Sequence, residues 1–184
     1  MQIPAHSWVH QRKDLEAFAL TLDPAARLAV KESGLWGITS ALKHFATTIG
    51  RTVYIPPDWD ASSVRNVLPH EILGHVKQFR WCGLGIHPTL GIFPGMALVY
   101  VWGIIFPLWL AWGRYRCELH ADSASWSWHL AKRLWTPNDV LTRAEGFATT
   151  VSSKAYAWAW PRKWALWGFT RRARQVIRNA ALVG

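Results

Sequence analysis

Cysteine is nearly absent from this 184-residue chain: only Cys82 and Cys117 occur, and no C-x-x-C pair exists. That argues against a disulfide framework and leaves either one bridge or, more in keeping with so few, two thiols in a reducing compartment. Acidic residues are also scarce, 11 Asp and Glu against 21 Lys and Arg, for a formal charge of +10. Such a balance favours anionic partners (lipid surface, nucleic acid or acidic protein) and says nothing about fold. The N-terminus, MQIPAHSWVHQRKDLEAF, lacks an apolar h-region and a cleavage pattern, so no signal peptide is expected. The expected location is cytoplasmic or peripheral to a membrane, with a virion as the alternative. No internal repeat or low-complexity linker divides the chain. Residues 81–113 lack Asp, Glu, Lys and Arg altogether.

What is abundant is tryptophan, fourteen in all, in a chain that is 51% hydrophobic. The length suits one domain with a sizeable core, so 1–184 is read as a single unit. Tryptophan favours places with one apolar and one wet side.

Periodicity predicts a mainly α protein with a small β element. Residues 10–32 read as one or two amphipathic helices: Leu15, Phe18, Ala19 and Leu22 recur at helical spacing, and Asp23-Pro24 marks a break or a new helix start. Trp36, Leu42, Phe45 and Ile49 suggest a helix over 35–49, with Gly50 as its C-cap. RTVYIPP alternates and then stops at two prolines, which predicts a short strand at a sheet edge. Asp60 or Ser62 is a candidate cap for the segment after it, and Pro69 suits the first turn of a helix carrying His70 to Phe79. RYRCELHADSASWSWHLAKRLW reads as another helix. Thr136, Pro137 and Asp139 read as the start of the next.

Chemistry concentrates in LPHEILGHVKQF, residues 68–79. His70 and His75 stand five apart. On a regular helix they point about 140° apart and cannot share an ion. An extra residue absorbed as a π-bulge brings them together, and Gly74 is the residue that tolerates the distortion. The plain alternative is a surface pair between Glu71 and His75, which are four apart.

HEILGH resembles the H-E-x-x-G-H zinc helix of the dipeptidyl peptidase III family, a gluzincin type of metallopeptidase. RCELHAD, 116–122, is similar to that family's second motif. Glu118 then matches the glutamate ligand, Ala121 the alanine and Asp122 the acidic residue one turn on. Cys117 departs from the family's glutamate. The resemblance covers about thirteen positions and implies one zinc per chain held by His70, His75 and Glu118. It makes Glu71 the general base and Asp122 a carboxylate that orients a ligand histidine. It does not carry over the family's large two-lobed fold or its substrate. A zincin-like arrangement is expected, with the strand beside the metal helix able to take a peptide by strand addition. Candidate oxyanion donors are His120, His129, Tyr156 and Arg116. A membrane-desaturase reading fails for want of H-x-x-H-H boxes, and a di-iron site would want E-x-x-H spacing.

The metal reading constrains the apolar run. A single crossing between His75 and Glu118 would put about 30 Å between them. Two crossings need about 40 residues, and 81–113 has 33. A helical hairpin, part core and part exposed to membrane or partner, is expected instead. The tail, about 156–180, is basic and rich in tryptophan. Its plain reading is core aromatics with the arginines as a solvated face; of the binding readings, an interfacial segment on an anionic membrane fits better than nucleic acid. The expected function is zinc-dependent peptide-bond hydrolysis on a peptide or protein substrate. The rival is a non-catalytic basic assembly protein, such as a virion component, whose metal site is structural or vestigial.

Overall fold

The computed structural model describes residues 4–32, 44–82, 107–153 and 161–183. Most of the apolar stretch 81–113, and Tyr156, lie outside them. The chain is mainly helical, with one three-stranded sheet among the described residues. Its contacts group into two compact units, Met1–Ala97 and Leu98–Gly184. Among the described residues no helix is long and apolar enough to cross a membrane.

The first unit opens with a 3-10 turn, Trp8–Gln11, and helix α1, Arg12–Leu22. Strands β1 (Arg27–Val30), β2 (Thr47–Ile49) and β3 (Thr52–Ile55) come next. Two expectations are corrected here. The segment after Asp23-Pro24 does not resume a helix: Leu28 pairs with Val53 in a parallel ladder. The end of 35–49 is likewise strand, with Thr48 opposite Val53. The first depends on pairing with residues far along the chain and the second on a tight hairpin, and in both the pairing outweighs local helical spacing. Gly50 accordingly serves the β2–β3 hairpin, where its φ of 61° is needed, and not a helix end.

A third correction concerns position in the sheet. Among the described residues the strand order is β1-β3-β2, so the TVYI strand is central and β1 and β2 are the two edges. Pro56 and Pro57 do not demand an edge because they come after the last paired residue.

Helix α2, Ala61–His70, starts where Asp60 accepts from the Ser63 N–H at 2.9 Å. Pro69 is therefore inside this helix near its end, not in a first turn. The chain continues as a π-helical segment, Glu71–Val76, and a last turn, α3, Lys77–Cys82. Val64, Leu68, Ile72 and Val76 run down one face into the core with Trp8, Leu15, Leu28, Val53 and Ile55. Each such buried side chain contributes about 1.5–3 kcal/mol, so the π segment is anchored from both ends.

The second unit holds α4 (Pro107–Ala131), α5 (Pro137–Val151) and α6 (Arg162–Val183). The last residues of the apolar stretch thus open α4. Thr136 and Asp139 cap α5 reciprocally, as the sequence suggested. Phe169, fully buried, meets Tyr115, Trp126 and Phe147 at the centre of this unit.

Candidate metal centre

Pro69 and the π segment form one device. Proline has no N–H, so the helix ladder loses its bond to the Arg65 carbonyl. The loosened ladder widens two residues later into the π turn, in which five residues make roughly one revolution. Gly74 is buried inside that segment. The outcome is the convergence an α-helix forbids: His70 Nε2 and His75 Nε2 stand 3.1 Å apart, with the rings edge to face.

The ligand atoms of His70, Glu71 and His75 all lie within 4.8 Å of one another, and the three residues form a group able to hold a metal ion. His70 and Glu71 are buried, at 8% and 6% exposure, and His75 is half-buried.

Two neighbours tune the group. His75 Nδ1 lies 3.0 Å from Gln78 Oε1. That oxygen only accepts, so Nδ1 carries the proton and the Nε2 lone pair faces His70. Thr48, on the edge strand β2, donates its hydroxyl to Glu71 Oε2 at 2.6 Å. One carboxylate oxygen is thereby fixed in a buried setting. Neither Gln78 nor Thr48 was found from the sequence. Gln78 sits three residues from His75 on the same helix, a spacing that could have signalled it. Thr48 had no such signal, because only the sheet brings it near.

Lys31 is a further residue that sequence reasoning missed. It sits just past β1, is 4% exposed, and its Nζ donates to Phe45 O and to Thr47 Oγ1 at 2.7 Å. Burial pushes its pKa down to about 8, and the negative Glu71 carboxylate pulls it partly back. The ammonium thus ties the end of β1 to the strand that holds Thr48.

The other expected site residues lie on α4 in the second unit. Glu118 and Asp122 are buried, one turn apart, at 8% and 6% exposure. Arg116 and His120 are exposed. His129 is 2% exposed and stacks on Trp135 at 3.6 Å between ring centroids. Its Nδ1 donates to Ser125 O at 2.8 Å, and burial lowers its pKa, which favours the neutral ring. In that form its other nitrogen only accepts. No family model, curated protein or solved structure matches the chain.

Proposed function

We propose that the protein is a zinc-dependent metallopeptidase whose metal is held by His70 and His75, with Glu118 as third ligand. The observation that carries the reading is the 3.1 Å approach of the two Nε2 atoms across a π turn. Two nitrogens about 2.0–2.1 Å from one zinc at a tetrahedral angle stand about 3.3 Å apart, so the pair fits that ion. The assignment of Glu118, and of Asp122 as an orienting carboxylate, rests on the E-x-x-A-D pattern.

Zinc at such a site supplies acidification of a water and polarisation of a carbonyl. The chain's own residues do the rest. Glu71 takes a proton from the attacking water and returns it to the leaving amine as the C–N bond breaks. Thr48 holds one Glu71 oxygen, so the carboxylate keeps one orientation through both transfers. Gln78 keeps the His75 ring turned with Nε2 forward. The edge strand β2 offers backbone groups to an extended peptide, which would run beside the residue that bonds Glu71. A buried carboxylate bonded by a strand hydroxyl is a poor surface partner for His75, which favours this reading over an ordinary helical pair.

Glu71→Gln tests it. The variant is expected to retain metal and lose hydrolysis of a peptide library. Full activity in that variant would end the peptidase reading.

A further inference from the structure

Helix α6 contains six Lys and Arg residues and no Asp or Glu. Ala165, Phe169, Ala173 and Val176 are its buried face. At about 100° per residue the opposite face is Trp164, Trp167, Arg171, Arg174 and Arg178, a stripe about 21 Å long. All five are exposed, Trp164 by 62% and Trp167 by 61%. Leu166, exposed by 40%, lies off this stripe, about 100° round the helix from Trp167. Arg171 lies over the Trp167 ring at 5.1 Å. Arg172 alone among the cations turns inward, to Ser123 Oγ at 2.9 Å. None of the other five pairs with a carboxylate among the described residues.

We infer that this stripe is a docking surface for a lipid bilayer rich in anionic headgroups. The inference is independent of the metal centre. Two exposed indoles one turn apart cost free energy in water, and indole rings settle at the boundary between headgroup and acyl chain. The arginines continue the same stripe, so a helix lying flat sets its indoles in that boundary while the guanidiniums meet phosphates. The unpaired positive charge complements an anionic leaflet. A nucleic acid would also satisfy the arginines, but the two indoles are gathered at one end of the stripe as a single apolar wedge and do not alternate with the arginines as a track that stacks successive bases would.

The test is co-sedimentation of the full chain with vesicles of phosphatidylcholine, with and without phosphatidylglycerol. The mixed vesicles should bind it at least about tenfold more tightly. Trp164→Ser with Trp167→Ser should weaken that binding about tenfold or more. Arg171→Gln, Arg174→Gln and Arg178→Gln together should weaken it on the order of 100-fold, about fivefold for each charge. All five side chains are exposed, so both variants should keep the wild-type circular dichroism. Equal or absent binding to the two vesicle types overturns the inference, as does unchanged binding by either variant. Tighter capture of an oligonucleotide, retained by the tryptophan variant, would overturn it in favour of nucleic acid.

Discussion

Thr48→Val removes one hydroxyl and almost nothing else. Valine has threonine's shape, so no cavity forms, and the two residues suit a strand about equally well. What is lost is the 2.6 Å bond to Glu71 Oε2, between residues 9% and 6% exposed. A hydrogen bond to a buried charge is worth about 1.5–3 kcal/mol net, because the acceptor left behind has no water to replace the donor. The folding equilibrium constant should fall about 10- to 150-fold. Urea unfolding monitored by tryptophan fluorescence measures it. Thr48→Ser is the control: it keeps the hydroxyl and gives up one buried methyl, about 1 kcal/mol. The expected order of stability is therefore Thr, Ser, Val. If packing alone mattered, Val would match Thr and Ser would be worst. A valine variant within about 0.5 kcal/mol of wild type, or more stable than the serine variant, would refute the reasoning. Under the peptidase reading the valine variant also keeps its metal while kcat falls.

Gln78→Leu frees the His75 ring to turn, and should weaken metal binding about 10- to 100-fold in competition with a chelator. Lys31 should make stability rise with pH: its folded pKa is about 8 against 10.5 unperturbed, so between those values the unfolded chain binds more protons. Its share is at most about 1.4 kcal/mol per pH unit, and the wild-type rise should exceed that of Lys31→Met across that window. Two helix glycines should respond with opposite signs to alanine. A Cβ at Gly168 would sit 1.6 Å from the Tyr115 hydroxyl oxygen, whereas one at exposed Gly146 meets nothing within 4 Å. Gly168→Ala should cost about 1–3 kcal/mol and Gly146→Ala should add about 0.5–1, both read from urea midpoints.

The π turn was legible because its cause is local. Two histidines five apart around a glycine are incompatible with sharing an ion on an α-helix, and the sequence states that conflict within six residues. The same holds for the Thr136–Asp139 cap and for the TVYI strand. Residues 27–30 are illegible for the converse reason: Leu28 is a strand residue only because Val53, far along the chain, pairs with it. Residues 47–49 have a local cause, the Gly50 turn that folds Thr48 back onto Val53, but the helical spacing of Trp36, Leu42, Phe45 and Ile49 masks it. The misplacement of the edge has the same root, since prolines after a strand end say nothing about its two sides. Thr48 and Lys31 reach the neighbourhood of Glu71 through that sheet, so no spacing in the chain could have named them.

Elemental analysis of purified wild type, His75→Ala and Glu118→Ala tests the metal centre most directly. About one zinc per chain is expected in wild type, with loss in both variants, since a third ligand is needed to hold the ion. Well-folded wild type without zinc, or the same content in His75→Ala, would contradict the account. HEILGH would then be a helix whose two histidines bond each other, with no ion between them.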